Sequence, residues 1–157
     1  GGFGFVLGDQ GGGAWLGWRV LQELVCLSDR NQLDAIHHRL ITELGIGETA
    51  NHWMQFANGA GPRAFAGLAR AVVDSEREVR LAAEILTEGL HSLCRLIQDL
   101  PRSLPLSLVG GLSTLYAPRL AALGYRVVDP EGDALDGLAF LGQHLGHLIV
   151  EHWISDV

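Results

Sequence analysis

The chain has 157 residues, enough for one domain or one lobe of a larger one. Its composition, 48% hydrophobic and 18% charged, supports a buried core and excludes intrinsic disorder. A formal charge of −7, from 18 acidic and 11 basic residues, excludes a protein that coats nucleic-acid phosphates with a basic face.

In chain order, residues 1–8 (GGFGFVLG) alternate glycine with apolar residues and suit either a short strand or a tight loop. Asp9 to Gly13 form a loop rich in residues that tolerate positive φ. The spacing of Trp15, Trp18, Leu21, Leu24 and Val25 predicts a helix over about 14–27. Ser28-Asp29 reads as a break and N-cap for a helix over about 30–44, closed by Gly45. Residues 51–56 allow another helical turn or two. The small, apolar run 63–73 suits a closely packed helix. Ser75 and Glu78 have capping-box spacing before a long amphipathic helix that Pro101 stops near Leu100. The period then changes. Residues 104–109 read as a buried strand, Tyr116-Ala117-Pro118 as the opening of a helix that ends at Gly124, and 125–128 as a final strand. Residues 129–133 form a loop, with helix from Ala134 onward. The order is α/β, weighted to helix.

Several chemistries are excluded by residue content. All eleven basic residues are arginine, so P-loop, kinase-strand and Schiff-base lysines are impossible. Cys26 and Cys94, 68 positions apart and without CxxC spacing, read as reduced, buried residues of a cytoplasmic protein. No apolar run approaches the roughly 18 residues of a membrane span, and no signal peptide is expected from the opening residues. Gly1 stands inside a glycine-rich motif, so the chain is expected to begin within a domain. His37 and His38 diverge by about 100° on a helix, and His144, His147 and His152 with Glu151 miss the zinc spacing HxxEH by one residue. These histidines are read as surface or core residues, not ligands.

Two glycine-rich places have ligand-binding character. The first runs from Gly1 to Gly11 into a helix, where close backbone approach and free helix N–H groups suit a ligand, although a structural turn uses the same residues. Asp9 is its carboxylate, suited either to sugar or ribose hydroxyls or to capping the helix. The second, Leu106 to Thr114, delivers Gly110-Gly111 from a strand to a helix, the place where α/β folds seat ligands. It is not GxGxxG, and Asp129 is poorly placed for a ribose acid, so a dinucleotide fold is rejected.

Together these segments resemble the C-terminal half of the BadF/BadG/BcrA/BcrD-type ATPase family, on its N-acetylglucosamine kinase and bacterial glucosamine kinase branch. GGFGFVLGDQGGGAW (1–15) is similar to the family's GGWGxxLGDEGSGxW, WMQFANGAGPRAFAGLARAVV (53–73) to its adenosine-side segment, LPLSLVGGLS (104–113) to its second nucleotide segment and DPEGDALDGLAF (129–140) to its P-x-GDALDGA motif. The resemblance implies the helix-rich C-terminal lobe of an actin-like (ribonuclease-H-like) kinase over 1–141, followed by an extension, 142–157, with no family counterpart. It implies transfer of the ATP γ-phosphate, with Mg²⁺, to the 6-hydroxyl of N-acetylglucosamine or glucosamine. Carried over by motif, Gly2, Phe3, Gly4 and Asp9 would touch the sugar. Ala66, Gly67, Gly110 and Gly111, with Ser113 or Thr114, would touch adenine and ribose. Asp133 and Asp136 would brace the last helix without a catalytic role.

Gln10 and Phe3 stand where the family carries Glu and Trp, removing a charge and a donor. The family's DxGxT hairpin, Gly-Thr-Gly-Ser loop and catalytic aspartate would all precede Gly1. The chain alone is therefore expected to be inactive, and to pair with the complementary half or with a second copy as a dimer. The alternatives are an ATPase that activates a partner dehydratase, whose cluster-binding cysteines Cys26 and Cys94 do not match, and a non-catalytic fragment.

Overall fold

Five helices account for about two thirds of the chain up to Leu100: α1 (Gly13–Asp29), α2 (Ala35–Leu44), α3 (Ala50–Gly59), α4 (Pro62–Asp74) and α5 (Arg80–Ile97). The computed structural model describes residues 4–133 and 135–143, and divides into one unit up to Leu100 and a second from Pro101. In the first unit the apolar stripe of α1 (Trp15, Leu16, Val20, Leu21, Leu24) is buried, as are Phe65, Leu68, Ala69 and Val72 of α4 and Leu81, Ala82, Ile85 and Leu86 of α5. Helix α1 packs most extensively on α4 and also touches α5 and α3.

The α1–α4 contact is unusually close because glycine lines it. A Cβ added at Gly17 would run into the Phe65 carbonyl oxygen, and one at Gly13 would meet the Ala66 methyl at 3.4 Å. Arg19 then joins α1 to α5, its Nε and Nη2 donating to Glu88 at 3.2 and 3.0 Å. The Trp53 indole is buried and donates to the Gly47 carbonyl at 2.8 Å, fastening the α2–α3 connection to the core.

Two helix starts in the first unit differ from the sequence reading. Helix α1 continues to Asp29, and Asn31, with φ 55°, turns the chain. The cap of α2 is Asp34, not Ser28-Asp29, because Asp34 has a residue three places on that can reciprocate. Its carboxylate accepts from the N–H groups of Ile36 (2.9 Å) and His37 (3.0 Å), while His37 Nδ1 accepts from the Asp34 N–H at 3.3 Å. The Ser75–Glu78 box is also not used. The Ser75 N–H extends the α4 ladder to Ala71, and its buried hydroxyl donates to Glu43 at 2.9 Å, so α5 opens after Val79 with no side-chain cap.

The second unit contains β1 (Leu106–Ser107), α6 (Ser113–Ala122) and β2 (Val127–Val128). The strands pair in parallel, Leu106 opposite Val127 and Ser107 opposite Val128, so the three elements form a β–α–β unit. The strands are shorter than the expected 104–109 and 125–128. Helix α6 starts before the expected Tyr116, at Ser113, and Pro118 lies inside it, at the cost of one backbone hydrogen bond. Arg102 stacks 3.8 Å from the Tyr125 ring centre and donates to the Leu123 carbonyl at 3.1 Å, bracing the entry to β2. Residues 135–143 are helical. The remainder of the 142–157 extension, with His144, His147 and His152, lies outside the described residues.

Gly17→Val is expected to destabilise the chain by roughly 2 kcal/mol or more, read as a lower urea midpoint at unchanged slope. The Asp34 carboxyl titrates below its ordinary value of 3.8, chiefly through the His37 backbone N–H, then through the electrostatic influence of the His37 ring and the Ile36 N–H. A lowered folded value means that this contribution is present above 3.8 and is lost as pH falls through the folded value. Asp34→Asn, which keeps a capping oxygen but does not titrate, should flatten the acid limb of the melting-temperature profile. An unchanged limb would remove Asp34 from acid unfolding.

Candidate functional site

Parallel pairing brings the carboxyl ends of β1 and β2 to one side of the second unit, and a cleft of about 650 Å³ opens there. Leu108, Val109 and Gly110 line it from the segment after β1, with Ser113 from the first turn of α6. Pro130, Glu131, Gly132 and Asp133 line it from the loop after β2, with Leu135 beyond. Gly110 has φ 106°, a conformation open to glycine, and the space beside it is clear of other atoms. Helix α6 has no side-chain cap, so no capping side chain competes for its first-turn N–H groups.

Asp133, on the opposite wall, is held by Asp136. Asp133 Oδ1 accepts from the N–H groups of Leu135 (2.7 Å) and Asp136 (3.0 Å), and Asp136 Oδ2 accepts from the Asp133 N–H at 2.8 Å. This reciprocal box starts the helix over 135–143 and gives both aspartates the bracing role read from the sequence. It requires Gly132, since a Cβ there would sit 2.7 Å from Asp136 Oδ2.

A second cleft, of about 520 Å³, lies in the first unit between the Asp9 loop and the end of α5. Asp9, Gln10 and Gly12 line one side; Ser92, Leu93, Arg95 and Leu96 line the other. Asp9 has φ 52° and its carbonyl accepts from the Gly12 N–H at 2.9 Å, which folds the loop tightly before α1. The α1 cap is Gly12, without a side-chain hydrogen bond, so Asp9 does not serve as the side-chain cap. Just upstream, the Gly4 carbonyl accepts from Leu7 (3.2 Å) and Gly8 (2.7 Å), a turn and not a strand. The Phe5 ring lies 5.2 Å from Phe65, tying this turn to α4.

The site residues named by motif thus have different environments. Gly110 and Ser113 line the second-unit cleft, with Gly111 and Thr114 exposed beside them; Asp9 lines the first-unit cleft; Gly2 and Phe3 lie outside the described residues. Ala66 and Gly67 line neither cleft. The Ala66 methyl packs toward α1 at Gly13, whereas Gly67 faces open space. Ser92 and Arg95 were missed because nothing in sequence links α5 to a loop some 80 residues earlier. Glu131 was missed because only strand pairing brings its loop beside Gly110. Cys26 is exposed and Cys94 half-buried, so the expectation of two buried cysteines does not hold.

No protein-family model and no curated protein matches the chain. A solved structure does. The chain is similar to the "Putative N-acetylglucosamine Kinase" from Chromobacterium violaceum. The two share 28% identity and superpose with a TM-score of 0.76 over 90% of this chain and 50% of the other. The chain therefore spans about half the length of that kinase, and the resemblance read from its motifs extends to three dimensions. Its helix-rich architecture with a small sheet matches the fold of that kinase.

Gly132→Val should displace the Asp136 carboxylate and fray the start of the 135–143 helix. The expected readout is faster amide exchange at Leu135 and Asp136, with α6 unaffected. Unchanged exchange would show that the box tolerates a side chain there.

Proposed function

We propose that this chain is the C-terminal lobe of an ATP-dependent amino-sugar kinase of the actin-like fold, acting on the 6-hydroxyl of N-acetylglucosamine or glucosamine. The observation that carries the reading is the 28% identity and 0.76 TM-score with an N-acetylglucosamine kinase, combined with a strand-end cleft at the motif-matched Gly110 and Ser113. In this reading the second-unit cleft takes adenine and ribose. Gly110 and Gly111 let the backbone come close to the nucleoside, and Glu131 offers acceptor oxygens to ribose hydroxyls. Among the described residues the cleft carries carboxylates and no cation, which suits the uncharged part of the nucleotide better than its phosphates.

The Asp9 loop takes the sugar, where a carboxylate accepts hydrogen bonds from hydroxyls. Mg²⁺ would travel with the ATP phosphates, since no group of three metal-ligating side chains occurs among the described residues. Phosphoryl transfer also requires phosphate-positioning loops and a base for the 6-hydroxyl, which the complementary half of the kinase would supply. That half, or a second copy of this chain, is its proposed partner. No described helix is long and apolar enough to cross a membrane.

The test is a coupled ATP-to-ADP assay with N-acetylglucosamine and with glucosamine, on this chain alone and after joining it to the complementary half. Turnover is expected only in the joined protein, and Gly110→Val should raise its KM for ATP by about tenfold or more. A well-folded joined protein with no turnover on either sugar would overturn the kinase reading.

A further inference from the structure

The first-unit cleft has a charge arrangement that selects among amino sugars, an inference that rests on the kinase reading. Arg19, Arg39, Arg70 and Arg80 each pair with a carboxylate. Arg95 has no such partner among the described residues. Its Nη2 donates instead to Ser92 Oγ at 2.8 Å, and the Ser92 hydroxyl donates to the Glu88 carbonyl at 3.0 Å. The relay holds the guanidinium at the cleft wall with most of its five donors unused. Glu88, two turns before Arg95 on α5, pairs with Arg19 instead.

Across the cleft stand the Asp9 carboxylate and the uncharged Gln10. The lining therefore carries one negative and one positive side chain. A hexosamine with a free amine is an ammonium near neutral pH. It is attracted by Asp9 and repelled by Arg95, and its nitrogen has only protons to offer the guanidinium. An N-acylated hexosamine is neutral and presents an amide, whose carbonyl accepts from Arg95 and whose N–H donates to Asp9 or Gln10.

We infer that Arg95, braced by Ser92, is a specificity residue that favours an N-acylated hexosamine over the free ammonium sugar by pairing with the acyl carbonyl and repelling the cation. Where the related motif carries glutamate, Gln10 acts in the same direction by removing a negative charge that would attract the ammonium.

The experiment is an amide chemical-shift titration of the full chain with N-acetylglucosamine and, separately, with glucosamine. It is repeated for Arg95→Glu and Arg95→Lys, with melting temperatures recorded for each. N-acetylglucosamine is expected to perturb Asp9, Gln10, Ser92 and Arg95 and to bind about tenfold tighter than glucosamine. Arg95→Glu should abolish or reverse that ratio, whereas Arg95→Lys, which keeps the positive charge, should retain part of it. Arg95 also lies in the last turn of α5, where a cation favours the helix dipole. If that were its whole role, Arg95→Glu would lower the melting temperature and leave the sugar ratio unchanged, overturning the inference. Failure of N-acetylglucosamine to perturb the cleft, or equal affinity for both sugars, would overturn it as well. ADP added to the same samples reports separately on the kinase reading, through Gly110 and Ser113 in the other unit. ADP shifts without sugar selectivity would leave that reading standing and remove Arg95 from it.

Discussion

The close approach of α1 to α4 is the constraint on which the first unit depends. Without a side chain at Gly17, α1 lies against the Phe65 backbone, and Gly13 admits the Ala66 methyl. That approach fixes where α1 begins and hence where the Asp9 loop is held. The loop then meets α5 at Gly89, since a Cβ on Gly11 would lie 3.0 Å from the Gly89 carbonyl oxygen. The Arg19–Glu88 ion pair holds the same two helices together one residue away. Such an exposed pair contributes little stability on its own. The first-unit cleft is therefore a consequence of backbone packing, and its polar side chains are mounted on elements that the apolar core has already placed.

The second unit solves a different problem. Two parallel strands of two residues each bury little, so α6 and its contacts with β2 carry the unit. Among its described residues Tyr116, Leu120 and Tyr125 are buried, and Arg102 stacking on Tyr125 extends that cluster toward the surface. Parallel pairing gives the cleft its polarity, because both chain segments leave their strands in the same direction. Glycine at 110 and the Asp133–Asp136 box then shape its two walls. Leu135, Leu138, Phe140 and Leu141 remain exposed on the final helical segment.

Much of this was legible in the sequence. The apolar periods at Trp15–Leu24 and along 80–97 announced α1 and α5, and the change of period after Pro101 announced the strand–glycine–helix passage. Helix starts were less legible, because Ser28, Asp29, Asp34 and Ser75 are chemically equivalent caps until tertiary contacts choose among them. Asp34 gained a reciprocating His37, whereas Ser75 was taken by Glu43 on a different helix. Motif resemblance identified Asp9, Gly110 and Ser113, each of which lines a cleft. It did not reveal Glu131, Ser92 or Arg95, whose positions depend on strand pairing or helix packing. Ala66 shows the opposite case: a residue marked by motif whose visible contact is with a neighbouring helix. The division after Leu100 was not signalled by any linker composition.

The central claim is that the strand-end cleft of the second unit holds the adenosine part of ATP. A crystal structure of the chain grown with ADP tests it most directly. The account predicts adenine and ribose in the cleft formed by Val109, Gly110, Ser113 and Glu131, with the ribose hydroxyls within hydrogen-bond distance of the Glu131 carboxylate. Nucleotide bound at another place on this chain, with that cleft empty, would contradict it.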